Sequence, residues 1–211
     1  MTNISKWFGY PIYISQIKNF EDINKEILPI LKKDVTATNS QYARTTDIKG
    51  KDLQSIDDNL HLDQRFDKLY NEITQTIIAA LHGQHYDLEL FEIYITKSWA
   101  TYSNKDQFIS YHRHMTSHFS FVYYVEADDQ GNLFFIDDEA HKVGLNIPKR
   151  DPYFKKWNEI NYAKAEYPAK TGNIVVFPSM LFHETGMNEK ENPRISISGD
   201  VLLTTRKGIK S

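Results

Sequence analysis

The chain has 211 residues, with 25 basic and 28 acidic side chains, a formal net charge of −3 and no cysteine. Without cysteine, the chain has no disulfides, no thiolate nucleophile and no cysteine-based zinc or iron–sulfur site. The near balance of charge disfavours nucleic acid as a partner, because such surfaces need clustered Lys and Arg. No apolar run approaches the roughly 20 residues needed to cross a bilayer. Residues 1–15 lack the pattern of a signal peptide, so we expect a cytoplasmic location and no membrane partner.

The composition predicts a folded protein rather than a disordered one. Hydrophobic residues make up 40% of the chain and aromatic residues 13%, which is enough to build a core. We expect one domain spanning residues 1–211. Within it, residues 1–86 are predicted to form a mostly helical N-terminal part that packs on a β-rich core at residues 87–205.

The N-terminal part begins with a β-branched and aromatic segment, Tyr10–Ile14, that predicts a short strand. A helix follows, and Pro29 predicts that this helix is short or kinked. Residues 34–61 are polar and lack periodicity, which predicts a long loop of the kind that often belongs to a site or a lid. The clearest helix is Leu62–His82, because its apolar residues fall at helical spacing. Gly83 stands where a left-handed cap is expected.

Beyond Gly83 the chain becomes rich in Ile, Val, Phe and Tyr, which favour strands. A second long insertion, residues 137–167, interrupts this pattern. Many strands without intervening helices predict antiparallel sheets, arranged as a sandwich or a jelly roll. The fold class is therefore mainly β with flanking helices. Six segments are predicted as strands: Leu88–Lys97, Phe108–His114, Phe119–Glu126, Asn132–Ile136, Ile174–Phe177 and Arg194–Thr204.

Two histidines at positions i and i+2, His112 and His114, are the first candidate site residues. On a β-strand these positions point to the same face, about 6.6–7 Å apart along the strand. Both imidazoles can then reach one metal ion at the usual metal–nitrogen distance of about 2.0–2.1 Å. Two solvated histidines on an exposed strand give the same pattern, so the pair alone leaves both interpretations open.

A second pattern lies towards the C-terminus. The segment Gly172–His183 reads as a turn, a buried strand and a loop that delivers His183. Further on, strict alternation places Arg194, Ser196 and Ser198 on one face of a strand. This face either meets water at a sheet edge or lines a cavity. In a cavity, Arg194 and a hydroxyl would bind a carboxylate by charge-assisted hydrogen bonds.

The H-x-H pair, the segment that delivers His183 and the strand that begins at Arg194 follow one another along the chain. In this order they resemble the iron(II)- and 2-oxoglutarate-dependent oxygenase superfamily, and more narrowly its bacterial and phage branch with an H-x-H motif. The likeness spans about half the chain, from Trp99 to Leu203. The spacing from His183 to Arg194 is its most specific part. The resemblance rests on the H-x-H block and four further segments: Phe119–Val125, Gly131–Phe135, Gly172–His183 and Arg194–Ser198.

This resemblance implies a double-stranded β-helix, a distorted jelly roll of cupin-like form, with Fe(II) at its open end. His112, His114 and His183 would be the metal ligands and catalytic residues. Most of the superfamily uses H-x-D, so this sequence departs from the pattern at His114. Either three histidines hold the iron, or metal binding is lost, or a carboxylate comes from elsewhere, with Asp137, Asp138 and Glu184 as candidates.

The resemblance also implies the co-substrates 2-oxoglutarate and O2. Arg194 would hold the distal carboxylate of 2-oxoglutarate, helped by Ser196 and by a tyrosine, the candidates being Tyr102, Tyr111 and Tyr124. The implied activity is that of a dioxygenase that hydroxylates a C–H bond and releases succinate and CO2. The long segments 34–61 and 137–167 are candidate lids.

Two other functions stay open from the sequence. One is a cupin-like metalloenzyme that uses three histidines with iron or zinc but without 2-oxoglutarate. The other is a non-catalytic β-sandwich binding module. The residues do not indicate the primary substrate: a peptide or protein, a small metabolite and a nucleobase are equally open. Dimers occur among such folds, so a homodimer is also compatible with the sequence.

Overall fold

The structure is a computed structural model that describes residues 9–38, 43–45, 52–55, 58–137, 155–156 and 162–206. Within these residues it is mainly β, with helices α1 (Phe20–Asp34) and α2 (Asp67–Gly83) and two short 3-10 turns at Leu60–Leu62 and Gln64–Phe66. Neither helix is both long and apolar enough to span a membrane. The strands are β1 (Tyr13–Gln16), β2 (Val35–Thr38), β3 (Ala43–Thr45), β4 (Asp52–Ser55), β5 (Phe91–Ser103), β6 (Gln107–Ile109), β7 (Phe119–Glu126), β8 (Leu133–Ile136), β9 (Lys164–Tyr167), β10 (Asn173–Pro178), β11 (Phe182–Thr185) and β12 (Arg194–Thr205).

The described strands form a large sheet, a small sheet and one isolated pair. The large sheet has the order β1-β10-β7-β12-β5-β4-β2, and the small sheet has the order β11-β8-β9. Strand β3 pairs with β6. Every pairing among them is antiparallel. The architecture is a distorted jelly roll with flanking helices, as the sequence predicts.

One face of the large sheet is covered by the two helices. Alternate residues of β7 and β12, including Phe121, Tyr123, Ile195 and Ile197, are buried in one cluster with apolar residues of α1 and α2. The helices contribute the stripes that their 3.6-residue periodicity brings to one side. This face is an ordinary apolar core, and it fixes the position of the strands.

The other face of the large sheet packs against the small sheet. Val122, Tyr124 and Phe177 from the large sheet share a second buried cluster with Leu133 and Phe135 of β8. Because side chains alternate along a strand, residues next to each other on β7 belong to different clusters. Members of this second cluster, together with polar residues, line the space between the sheets.

The structure corrects several sequence predictions in the N-terminal part. Residues 34–61 are not one long loop, because β4 pairs with β5 at the edge of the large sheet and β2 pairs with β4. Such pairing needs no apolar periodicity. Helix α1 also continues through Pro29, since burial of its apolar stripe against the sheet outweighs the local break. Helix α2 ends at Gly83, and the left-handed residue is His85, with φ 61°.

Two further differences concern the region of the candidate site. The strand predicted at Phe108–His114 ends at Ile109. Strands β9 and β11 lie where the sequence predicts an insertion and a loop. Both strands are short and carry polar residues, so they lack a local strand pattern and depend on pairing with β8. The lid hypotheses fall largely on residues outside the described part of the chain.

Candidate active site

A cavity of about 500 Å³ lies between the large and the small sheet. Three neighbouring strands of the large sheet, β7, β12 and β5, supply its floor with alternate residues that sit side by side in the strand register. The polar face of β12 therefore lines a cavity rather than a solvated edge. The floor residues are Ser120, Val122, Tyr124, Arg194, Ser196, Ser198, Asp200, Lys97, Trp99 and Thr101.

Three histidines converge at this cavity. One ring nitrogen of each of His112, His114 and His183 lies within 4.8 Å of the others. The ring centroids of His112 and His183 are 4.2 Å apart, and His114 lies 5.3 Å from each of them. The structure thus brings together residues that are 71 positions apart in the sequence, counting from His112 to His183.

Backbone hydrogen bonds fix the segments that carry the histidines. His112 lies beyond the end of β6, and it pairs with His183 of β11 through two backbone bonds of 3.0 and 2.9 Å. The backbone N–H of His114 donates to the carbonyl of Ser179 at 2.9 Å. The H-x-H pair is therefore held in a loop by bridges to the β10–β11 region, not by a strand of its own.

The hydrogen bonds of two rings define which nitrogen faces the cluster. Nδ1 of His112 lies 2.7 Å from the carbonyl of Ser110, and Nδ1 of His183 lies 2.9 Å from the carbonyl of Leu181. A carbonyl only accepts, so Nδ1 must carry the proton, and in a neutral ring the lone pair is then on Nε2. This is the tautomer that a metal ligand needs, and the donor set therefore fits a divalent transition metal.

Burial keeps these rings neutral. It lowers the pKa of His183 to about 3, and the neighbouring His112 ring acts in the same direction. Burial also lowers the pKa of His112, with a smaller contribution from His114 in the same direction. Neutral imidazoles at ordinary pH leave their lone pairs available for a cation.

The third ring, His114, has a different partner. Its Nδ1 lies 2.6 Å from Oδ1 of Asp200, and its ring stacks on the indole of Trp99 at 5.9 Å with an angle of 18°. Sequence reasoning missed Asp200. The signal was present, because the alternation that places Arg194, Ser196 and Ser198 on one face reaches Asp200 at the next step.

The carboxylates that the sequence offered as alternative ligands are not in the cluster. Glu184 accepts a hydrogen bond from Nζ of Lys164 at 2.6 Å. Asp137 follows the end of β8 and is not in the group of potential metal ligands found among the described residues. Asp138 lies outside the described part of the chain. Within that part, the potential ligand group consists of histidines alone.

The Arg194 guanidinium occupies the same cavity and is held by several oxygens. The side chain of Arg194 is 3% exposed. Nη1 donates to the carbonyl of Gly131, and Nη2 donates to Oγ of Ser103 at 2.8 Å and to Oγ1 of Thr185 at 3.3 Å. Gly131 has φ +64°, and a Cβ there would collide with Nη1 of Arg194. A fixed, buried cation that lines the cavity suits an anionic ligand.

The three candidate tyrosines lie in different places. Tyr124 lines the cavity, is 1% exposed, and its hydroxyl has no hydrogen-bond partner among the described residues. Burial raises its pKa to about 12, against a lowering effect of Arg194, so its hydroxyl stays protonated. Tyr102 lies in the cluster on the helix side of the sheet. The ring of Tyr111 stacks on Phe182 at 4.3 Å and does not line the cavity.

Comparison with known families agrees with this geometry. Residues 97–200 match the family described as "Putative 2OG-Fe(II) oxygenase". Over this segment, just under half of the chain, the sequence matches the 2OG-Fe(II) oxygenases. The matched segment holds all three histidines, Arg194 and Asp200. The cofactors of this family are Fe(II) and 2-oxoglutarate, with O2, and the three-histidine group suits the metal.

Solved structures show that the fold is shared. A prolyl-4-hydroxylase of Pseudomonas putida is 15% identical, with a TM-score of 0.57 and 92% of each chain covered. The epimerase SnoN from nogalamycin biosynthesis, in complex with Fe3+, alpha ketoglutarate and nogalamycin RO, is 14% identical, with a TM-score of 0.61 and coverage of 95% of this chain and 83% of SnoN. HygX from Streptomyces hygroscopicus, with nickel, 2-oxoglutarate and hygromycin B bound, is 9% identical, with a TM-score of 0.57 and coverage of 90% and 82%. No curated protein is significantly similar in sequence.

Proposed function

We propose that the protein is a dioxygenase that hydroxylates a C–H bond of an organic substrate while converting 2-oxoglutarate to succinate and CO2. One observation carries the proposal. A triad of imidazoles and a buried guanidinium line one cavity of about 500 Å³. The first suits a divalent iron ion, and the second suits the free end of a dicarboxylate.

His112, His114 and His183 are the proposed iron ligands. Their three nitrogens lie close enough together to bind one face of an ion, which leaves positions open for small molecules. Fe(II) and 2-oxoglutarate, when bound, supply the oxidising power: one oxygen atom of O2 enters succinate and the other enters the C–H bond. The protein's own part is to position these groups and to exclude water.

Arg194 is the proposed partner of the distal carboxylate of 2-oxoglutarate. Its contacts with Gly131, Ser103 and Thr185 hold the guanidinium in place before the ligand arrives, so little entropy is lost on binding. The Tyr124 hydroxyl is the proposed second donor, because it lines the same cavity without a protein partner in the described part of the chain. Ser196, two residues after Arg194 on the same face, is the third.

The remaining space is the proposed substrate site. Trp99, Lys97, Arg113 and Met115 line the cavity, and the Met115 side chain is exposed at the surface. A flat indole, two cationic side chains and a flexible thioether can contact many organic groups.

An anaerobic titration tests the proposal directly. Adding Fe(II) and 2-oxoglutarate to the protein should give a visible charge-transfer band, and His183→Ala should abolish it. His82→Ala removes an exposed histidine of α2 and serves as the matched control that keeps the band. A band that survives His183→Ala unchanged would contradict the metal assignment.

The reaction is tested by succinate formation against a panel of candidate substrates, with uncoupled turnover as the baseline. In isotopically heavy O2, a hydroxylase incorporates one heavy oxygen atom into its product. Succinate formation without incorporation into the product would contradict hydroxylation but not the use of 2-oxoglutarate. Metal-dependent turnover that does not require 2-oxoglutarate would favour the three-histidine metalloenzyme instead.

A further inference from the structure

Asp200 is a buried carboxylate at the edge of the candidate metal centre. It lies on β12, six residues after Arg194 and on the same face, and it is 6% exposed. Its Oδ1 accepts hydrogen bonds from Oγ of Ser120 at 2.9 Å and from Nδ1 of His114 at 2.6 Å. Oγ of Ser179 lies 2.9 Å from Oγ of Ser120. Since Ser120 gives its proton to Asp200, Ser179 donates to Ser120, and the three side chains form one directed chain.

The charge of Asp200 has one potential cationic partner in the described part of the chain. Among described residues, its only contact with a basic side chain within 4.0 Å is the one with His114. A buried carboxylate is costly unless it is paired and hydrogen-bonded. The two hydrogen bonds satisfy one oxygen, and a cation held by His114 would supply the missing charge.

The three histidine rings differ in the group that their Nδ1 contacts. His112 and His183 each donate from Nδ1 to a backbone carbonyl two residues earlier, a neutral acceptor. Nδ1 of His114, by contrast, contacts a carboxylate, that of Asp200. His114 also occupies the position where the resemblance leads one to expect an aspartate ligand.

We propose that Asp200 is a positioning residue that holds His114 by its Nδ1 and gives the three-histidine centre the negative charge that an aspartate ligand would bring. This inference rests on the proposed iron site. Three neutral imidazoles leave a divalent cation with its full charge of 2+, and Asp200 reduces the charge of the whole cluster to 1+. A carboxylate that accepts from a metal-bound histidine also fixes the ring orientation and makes it a stronger ligand.

Asp200→Asn removes the charge and keeps the shape. We expect its Fe(II) affinity, measured anaerobically, to fall about 10–100-fold. The 2-oxoglutarate charge-transfer band should move to shorter wavelength, because the iron becomes poorer in electrons. Glu184→Gln is the matched control: it removes a carboxylate next to His183 that pairs with Lys164, and it should change neither quantity. Equal Fe(II) affinities of wild type and Asp200→Asn would overturn the proposal.

A second background separates positioning from a purely structural role. In His114→Asp the third ligand is itself a carboxylate, and no Nδ1 remains for Asp200 to hold. Adding Asp200→Asn should therefore lower Fe(II) affinity much less in that background than in the wild type. An equal loss in both backgrounds would mean that Asp200 acts through the fold and not through His114, and the proposal would fail.

The metal-free protein provides a readout that does not depend on the iron site. Nitrogen-15 NMR should show the Nδ1-protonated tautomer for all three rings of the wild type. Asp200→Ala should remove this preference from His114 alone. Loss at all three rings, or at none, contradicts the positioning role. Failure of the wild type to bind Fe(II) would instead overturn the proposed function, whatever the tautomers show.

Discussion

The two faces of the central strand β12 carry different kinds of side chain. On the helix side, Ile195 and Ile197 are fully buried among the apolar residues of α1 and α2. On the cavity side, Arg194, Ser196 and Asp200 are almost as deeply buried, yet they are polar or charged. Both faces come from one run of residues in strict alternation.

The difference shows that the cavity face of β12 contributes less to folding stability than the helix face, because it carries the polar residues of the site. Each buried side chain of the helix face gains about 1.5–3 kcal/mol from leaving water. The cavity face gains little of this, and a buried polar group without a partner costs about 1–3 kcal/mol. Arg194 and Asp200 are held by hydrogen bonds, whereas the Tyr124 hydroxyl has no partner among the described residues. Polar burial of this kind is typical of a binding site.

The largest expected effect comes from making the helix face polar. Ile197→Ser removes a fully buried side chain and places a hydroxyl in the apolar cluster. We expect the free energy of unfolding to fall by about 4 kcal/mol, as measured by urea denaturation of the metal-free protein. Ser198→Ala, the next residue on the opposite face, should cost less than about 1 kcal/mol. Similar losses for both variants would show that the two faces do not differ as described.

The next effect is the loss of the buried cation on the cavity face. Arg194→Ala should weaken 2-oxoglutarate binding at least about 100-fold, or roughly 2.7 kcal/mol, because a charge-assisted bidentate contact disappears. Titration of the charge-transfer band measures it. Arg194→Lys keeps the charge but not the two donor nitrogens of the planar guanidinium, so we expect an intermediate loss of 2-oxoglutarate affinity. Arg65→Ala, at an exposed arginine paired with Asp63, is the control. An unchanged affinity in Arg194→Ala would rule out Arg194 as the carboxylate partner.

The sequence predicts the helix face and the polar face of β12 well, because alternation is a local signal. Strand β7 matches its prediction, Phe119–Glu126, at both ends. Strand β12 ends one residue beyond its own prediction, Arg194–Thr204. Strands β9 and β11 escape prediction, because short polar segments become strands only by pairing with β8. Strands β2 and β4, at one edge of the large sheet, also escape prediction, because β2 pairs with β4 and β4 pairs with β5.

The candidate site also has features that the sequence predicts and features that it does not. The H-x-H spacing and the distance from His183 to Arg194 are local enough to be read from the sequence, and the structure brings these residues to one cavity. The role of Asp200 is not local, since it depends on the register of β12 against β7 and on the loop that carries His114. The choice among three tyrosines also depends on which face of its strand each one occupies.

A smaller effect is expected at the turn that supports Arg194. In Gly131→Ala, the new Cβ would collide with the Arg194 guanidinium, and φ +64° is itself unfavourable for alanine. We expect 2-oxoglutarate affinity to fall about 10-fold, or roughly 1.4 kcal/mol, while Fe(II) affinity without 2-oxoglutarate stays the same. Gly9→Ala, where a Cβ meets nothing within 4 Å, is the control. Equal losses of Fe(II) and 2-oxoglutarate binding would point to general unfolding instead.

The smallest effect is the sharpest test of the two faces, because two tyrosines differ in little except the side they occupy. The hydroxyls of Tyr124 and Tyr102 are both buried without a partner among the described residues, but only Tyr124 lines the cavity. Neither Tyr→Phe change should destabilise the metal-free protein, since each removes a polar group that burial penalises. Tyr124→Phe should weaken 2-oxoglutarate binding about 5–10-fold, or roughly 1–1.4 kcal/mol, the usual net value of one hydrogen bond, and Tyr102→Phe should not. Equal losses in both variants would mean that the hydroxyl acts through the fold and not through the ligand.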